Sequence, residues 1–276
     1  MQMGTLYLVS TPIGNMEDIT LRAIRILKQV DLIAAEDTRV TRKLMSKNGI
    51  ENKITSYNNH NHRAKLPILL QSLTNGDEIA LVSDAGTPTL SDPGSELVEI
   101  ASQSGHTTIP IPGPSAITAA LATSDIHRKE FTFISFLPRK QAERIKYLDS
   151  LKSESRPIVA FEAPHRLTKS LTDMLCVLGD RRVTLCRELT KIHEEIFRGS
   201  ISEAIDHFQN PRGEFTIIIS SGTSDISYND NDLLTLLNKY RTLGVETSKA
   251  VKQVAKETGI NRSEVYKLWV RNKIKS

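Results

Sequence analysis

Two short stretches bring acid–base side chains to the ends of apolar runs. Leu32 to Ala35 leads into Glu36-Asp37-Thr38-Arg39, and Ile158 to Phe161 leads into Glu162-Ala163-Pro164-His165-Arg166. A carboxylate at a strand end can take a proton from a weak acid as it attacks, an effect worth typically ~10²–10⁴-fold. Glu36, Asp37 and Glu162 are the candidates for that work. Arg39 and Arg166 carry the planar fork that grips a phosphate. A plainer reading of Asp37 and Arg39 stands beside this one, a helix-start carboxylate with a local ion pair. His60 and His165 are weaker candidates for a base, since a helix start explains His165 as well. No metal is expected. His60 and His62 have no partner cluster at ligand spacing, and Cys176 and Cys186 fit neither a disulfide framework nor a zinc knuckle. The two thiols are expected reduced, in or near the core.

These residues need elements to hold them. Apolar runs at Leu6 to Val9, Leu32 to Ala35, Ile54 to Tyr57, Glu78 to Ser83 and Thr107 to Ile111 read as strands. Between them lie helical patterns, the first capped by Asp18 or Thr20 with Leu21, Ile24, Ile26 and Leu27 toward the core. Strands alternating with helices predict an α/β domain over residues 1–124 with a largely parallel sheet. In such sheets, ligands bind beyond the carboxyl ends of the strands. Four Pro/Gly-rich or charged loops fall there: Ser10 to Asn15, Glu36 to Arg39, Ser83 to Pro88 and Pro112 to Ala116. The first holds one glycine and a proline where a dinucleotide fold would have a flexible phosphate loop. Proline fixes φ and removes a donor, so this loop is stiff.

After Asp125 the pattern restarts. Strands at Phe131 to Phe136, Ile158 to Phe161, Val183 to Arg187, Glu195 to Arg198 and Phe215 to Ser220 predict a second α/β domain over residues 125–222, with more antiparallel character. Asp125 to Glu130 reads as a hinge, and Ser220 to Asp232 as a polar linker. The remainder, residues 230–276, is predicted to hold helices at Thr247 to Gly259 and Asn261 to Lys273. Asn261 and Glu264 suggest a capping box. Ala255, Gly259, Ile260, Val265 and Leu268 give the pair a helix-turn-helix-like spacing.

Of 276 residues, 39% are hydrophobic, enough for a real core, and the net charge is +4. Residues 225–276 hold ten Lys/Arg against six Asp/Glu, so the whole excess sits on the tail. A neutral body with a basic appendage suggests a contact for a polyanion, RNA or DNA. No apolar run reaches the ~18 residues of a membrane span, and the N-terminus does not read as a signal peptide. A cytoplasmic protein is expected.

The motif set Ser10 to Asn15, Ala35 to Arg39, Ser83 to Gly94, Pro112 to Ala116, Phe161 to Arg166 and Gly213 to Phe215 resembles the tetrapyrrole methylase family of methyltransferases, and within it the ribosomal RNA small-subunit group. The resemblance covers residues 5 to about 222. It implies two α/β domains of the class III methyltransferase type, with S-adenosylmethionine in the cleft between them. It also implies methyl transfer to the ribose 2′-hydroxyl of a cytidine in the decoding region of 16S ribosomal RNA. Partners implied are that RNA, within the small ribosomal subunit, and a second copy of the chain in a homodimer. Catalysis would then draw on Asp37, Glu36, Arg39 and Glu162. The cofactor would touch Thr11, Pro12, Gly14, Ser83, Ala85, Gly86, Thr87, Gly113, Ser115, Phe161 and Glu214. Tetrapyrrole-modifying members carry a glycine-rich first loop, V-G-x-G-P-G-D-P-x-x-L-T, which Val9 to Thr20 lacks; that argues against a porphyrinoid substrate. Two rivals remain open, a methylase of small molecules or proteins with the same fold, and a non-catalytic RNA-binding assembly factor.

Overall fold

A computed structural model describes residues 3–89, 94–126, 129–222, 230–258 and 260–273. The first sheet is built from β1 (Thr5–Val9), β2 (Leu32–Ala35), β3 (Ile54–Ser56), β4 (Ile79–Val82) and β5 (Thr107–Ile111). They lie in the order β3-β2-β4-β1-β5, all parallel. Helices α1 (Leu21–Gln29), α2 (Thr38–Lys47), α3 (His62–Thr74) and α4 (Ser95–Gln103) fill the crossovers. Alternation along β4 divides its side chains between two cores. Ala80 and Val82 meet Leu27 and Met45 of α1 and α2. Ile79 and Leu81 meet Leu69, Leu73 and Leu97 of α3 and α4. A parallel sheet covered on both faces needs such continuous apolar runs.

One expectation for α1 is corrected. Thr20 is the cap, its hydroxyl accepting the Ala23 N–H at 3.1 Å. That start turns Ala23, Ile26 and Leu27 inward and leaves Leu21 86% exposed on the outer face.

The second sheet comprises β6 (Thr132–Phe136), β7 (Ile158–Glu162), β8 (Arg182–Arg187), β9 (Glu195–Ser200) and β10 (Phe215–Ile219), in the order β6-β7-β10-β8-β9. Only β6 and β7 run parallel; the other pairings are antiparallel. Helices α6 (Gln141–Ser150), α7 (Pro164–Leu178) and α8 (Ile201–His207) cover one face. The other face is covered by α5 (Ala116–Thr123), the helix that follows β5 of the first sheet. There Ile117 and Ala120 join Val159, Cys186 and Ile218, with Ile13 of the first loop alongside. This apolar joint ties the two sheets together. Asp125, at the start of the segment read as a hinge, accepts hydrogen bonds from Arg182 Nε and the Thr184 hydroxyl, both at 3.0 Å. Residues 127–128 lie outside the described residues. Cys186 is buried in the joint, whereas Cys176 is exposed on α7, against expectation.

Among the described residues the tail adds a third helix to the two expected: α9 (Asp230–Thr242) precedes α10 (Thr247–Thr258) and α11 (Arg262–Lys273). Leu233 and Leu237 of α9 complete a small core with Val251, Val254 and Val265. Asn261 caps α11 by accepting from the Ser263 N–H and hydroxyl at 3.0 Å, in place of the expected box with Glu264. Gly259 and the linker residues 223–229 lie outside the described residues. No described helix is long and apolar enough to cross a membrane.

One buried ion pair secures the turn after β6. Arg144 Nε donates to Asp173 at 2.7 Å, with both side chains almost wholly buried. Arg144 Nη1 also donates to the Pro138 and Arg139 carbonyls at 3.1 Å. Removing one partner strands the other charge, at a cost of about 3–5 kcal/mol. Asp173→Ala is expected to lower the urea midpoint accordingly; an unchanged midpoint would show that the pair contributes nothing.

Candidate active site

Parallel pairing brings the ends of β1, β2, β4 and β5 to one rim. The loops after β1 and β4 are stitched by a reciprocal pair: Thr11 N–H to Gly86 O at 2.9 Å and Gly86 N–H to Thr11 O at 3.0 Å. The Thr11 hydroxyl donates to Ser83 O at 3.1 Å, and the Ser10 and Thr87 hydroxyls meet at 3.1 Å. Gly86 has φ +76°, open to glycine at no steric cost. Gly113 lies so close to Ser10 that a Cβ there would sit 2.9 Å from the Ser10 Cβ. Gly14 faces the second domain; a Cβ on it would meet Thr190 Oγ1 at 2.9 Å and Leu189 O at 3.0 Å.

The loops after β2 and β4 are joined through carboxylates. Asp84 Oδ1 accepts the Asp37 N–H at 2.9 Å, and the Asp84 N–H donates to Glu36 Oε2 at 3.3 Å. Burial pushes both Glu36 and Asp84 above the usual carboxylate range; the Asp84 N–H tempers this for Glu36, and neighbouring carboxylates add to it. Asp37 differs. Its carboxylate takes hydrogen bonds from the Arg39 guanidinium, the nearest at 2.7 Å, and from the Arg39 N–H at 2.8 Å. Those bonds hold it down to about 2. Asp37 thus caps α2 and is a weak base.

A cavity of about 520 Å³ lies between this rim and the second sheet. Among the expected cofactor residues, Ala85, Gly86, Thr87, Ser115, Phe161 and Glu214 line it. Thr11, Pro12 and Ser83 line a much smaller neighbouring hollow. Gly14 and Gly113 line neither; their places are the close approaches above. Among the expected catalytic residues, Glu36 and Glu162 line the cavity, while Asp37 and Arg39 do not.

Two side chains are occupied elsewhere. The Glu162 carboxylate has no exposed surface. It accepts from the Ser170 hydroxyl at 2.5 Å and the Ala163 N–H at 2.9 Å, with Arg166 Nε 3.2 Å away. It braces the corner between β7 and α7 and does not present a free base. Arg166 donates to the Leu137 and Pro138 carbonyls at 2.5 and 3.3 Å, so its fork is turned to the backbone and not to a phosphate.

Sequence reasoning passed over Asp84, Phe136, Leu189 and Thr216, all in the lining. Asp84 stands in the Ser83 to Pro88 loop, where its residue type does not separate it from an ordinary turn aspartate. Its bonds to the backbone of the next strand's loop carry no sequence signal. His165, a weaker candidate, lines the cavity too.

The lining has one electrostatic character. It includes four carboxyl side chains, Glu36, Asp84, Glu162 and Glu214, and no lysine or arginine among its described residues. Two of the four are paired with residues outside the lining, Glu214 with Lys191 at 2.9 Å and Glu162 with Arg166 at 3.2 Å. The negative charge left on Glu36 and Asp84 favours a cation or a neutral polar group over phosphate.

Residues 5–205 match the family model of tetrapyrrole (corrin/porphyrin) methylases. The ribosomal RNA small subunit methyltransferase I of Halalkalibacterium halodurans is 42% identical over 273 residues, covering 96% of this chain and 94% of the relative. The protein of the same name from Thermotoga maritima is 48% identical over 220 residues, covering 79% of this chain and 99% of the relative. Among solved structures, a diphthine synthase superposes with a TM-score of 0.63 at 13% identity, covering 80% of this chain and 91% of that one, a likeness of fold. The rim loops, the two-sheet architecture and these relatives agree: the chain belongs to the tetrapyrrole methylase family of methyltransferases, with the class III fold, in the branch named ribosomal RNA small subunit methyltransferase I.

Proposed function

We propose that the protein transfers a methyl group from S-adenosylmethionine to the ribose 2′-hydroxyl of a cytidine in the decoding region of 16S ribosomal RNA, within the small ribosomal subunit. The observation that carries this reading is the placing of the Glu36 and Asp84 carboxylates on the cavity wall, with no lysine or arginine in the lining, in a chain whose relatives bear a ribosomal RNA methyltransferase name. When bound, S-adenosylmethionine supplies a methyl group activated by a positive sulfonium. The residues present fit it. The cavity is within the ~300–1,000 Å³ of small-molecule sites. Glu36 and Asp84 suit the sulfonium, Ala85, Gly86, Thr87 and Ser115 offer polar backbone and hydroxyl groups, and Ile117, Leu189 and Phe161 give an apolar wall for the adenine. Thr11, Pro12, Gly14, Ser83 and Gly113 hold the loops in register.

The donor is already activated, so alignment supplies much of the rate. The ribose hydroxyl is a weak acid and must lose its proton. Glu36 takes that proton: it lines the cavity, and burial raises it toward the range where a carboxylate is an effective base. Asp84 holds Glu36 through its N–H. Asp37 fixes Arg39, whose side chain is 84% exposed and presents its outer edge to a flanking phosphate outside the cavity. Glu162 is a positioning residue.

The tail adds a polyanion contact through exposed Lys249, Lys252, Arg262, Lys267 and Arg271.

Labelled S-adenosylmethionine with purified small subunits lacking the modification is expected to yield labelled 2′-O-methylcytidine after digestion to nucleosides. No label in RNA despite cofactor binding would return the reading to small-molecule acceptors. RNA binding without any affinity for S-adenosylmethionine would point to an assembly factor. The rate should rise with pH as Glu36 ionises, with its midpoint above the ordinary 4.5. Glu36→Gln is expected to cut kcat by ~10²–10⁴-fold and to abolish that limb; a loss under about twofold would exclude Glu36 as the base. Deleting residues 225–276 should raise KM for subunits several-fold and flatten its salt dependence while sparing kcat. An unchanged KM would show that the tail makes no RNA contact.

A further inference from the structure

Phe136 lines the cavity, yet 47% of it is exposed. A specific irregularity puts it there. Between the pairs Phe133–Val159 and Phe136–Phe161, three steps along β6 match two along β7. Ser135, inside this bulge, has φ +58°, a region few residues other than glycine enter. In a regular strand Phe133 and Phe136 would face opposite sides. The extra residue brings both against Phe161, with ring centroids at 5.1 and 5.6 Å.

The chain just beyond is clamped. Leu137 is buried, the Leu137 and Pro138 carbonyls accept from Arg166, and the Pro138 and Arg139 carbonyls accept from Arg144, itself fixed by Asp173. The protein thus holds a positive-φ bulge and a half-exposed aromatic ring in place at the cavity. Such a backbone conformation, held by its surroundings, points to function.

The chemistry of the cavity narrows what the ring meets. Glu36 and Asp84 on its wall disfavour phosphate, so the part of an RNA that enters must be ribose and base. A base offers a flat π face, and aromatic rings bind unstacked bases by stacking. Arg139 follows three residues on, exposed and without an ion pair among the described residues, placed for the backbone phosphates outside.

We propose that Phe136, backed by Phe161, is the stacking platform for the base of the nucleotide being methylated, drawn out of its own stack so that its ribose hydroxyl reaches Glu36. This rests on the reading of the protein as a ribosomal RNA methyltransferase. The recognition of the target base then belongs to the body.

The test measures S-adenosylmethionine affinity by calorimetry and steady-state methylation of unmodified small subunits. Phe136→Ala and Phe136→Leu, which keeps the apolar bulk, are expected to lower kcat/KM for subunits by about 5- to 100-fold. Cofactor affinity should stay within about twofold of wild type, and Phe136→Trp and Phe136→Tyr should restore the rate. An equal loss of cofactor affinity would assign the ring to the adenine instead and overturn the proposal. So would an unchanged kcat/KM in a wild-type background that labels RNA. If the wild type labels no RNA at all, the functional reading fails first and this proposal with it.

Discussion

Two partly desolvated carboxylates, Glu36 and Asp84, held at one rim with no lysine or arginine in the cavity lining, are the constraint around which this molecule is arranged. Taking a charge out of water is unfavourable unless hydrogen bonds or an opposite charge compensate. Glu36 and Asp84 receive backbone N–H groups, from Asp84 and Asp37 respectively, but the described cavity wall brings no cation to them. The missing positive charge is left for whatever enters. Parallel pairing delivers both carboxylates to the same rim, and the Thr11–Gly86 hydrogen bonds fix the neighbouring loop beside them. The joint between α5 and the second sheet then closes the cavity over them.

This arrangement divides the labour of handling a polyanion. Under the proposed function, the cavity takes the uncharged parts of a nucleotide and the cationic donor, and phosphates are met outside it, by the exposed Arg39 and Arg139 and by the basic tail. Stiffness serves the same end. Pro12 limits the first loop, and Gly14 lets that loop press against Leu189 to Lys191, where the Asn15 N–H donates to the Thr190 hydroxyl at 3.0 Å. Thr190 holds φ +67° to make that contact. The cleft is thereby set by contacts between the domains, not left to a free hinge.

Much of the fold was legible in the sequence because its signals are local. Apolar runs such as Ile79 to Val82 mark strands buried on both faces, and the Pro/Gly-rich loops mark the rim. What was not legible depends on partners far along the chain. Leu21 looked apolar and inward, but the Thr20 cap set the phase of the helix. Asp230–Thr242 forms α9 because α10 and α11 give its leucines a partner, whereas the polar run Ser220 to Asp232 suggested a linker that reaches into it. Within the site, Glu36 and the Ser83 to Thr87 loop could be singled out by residue type. Glu162 and Arg166 could not be separated from true site groups, since only Ser170, Leu137 and Pro138 show that they are already engaged. Phe136 was hidden by a bulge that breaks the period-2 pattern on which strand faces are read.

The most direct test of the central claim is a crystal structure of the protein with bound S-adenosylhomocysteine. The account predicts the sulfur on the side of Glu36 and Asp84, the adenine against Ile117 and Leu189, and the face of Phe136 left open. A ligand lying the other way round, with its adenine stacked on Phe136 and its sulfur remote from the carboxylates, would contradict it.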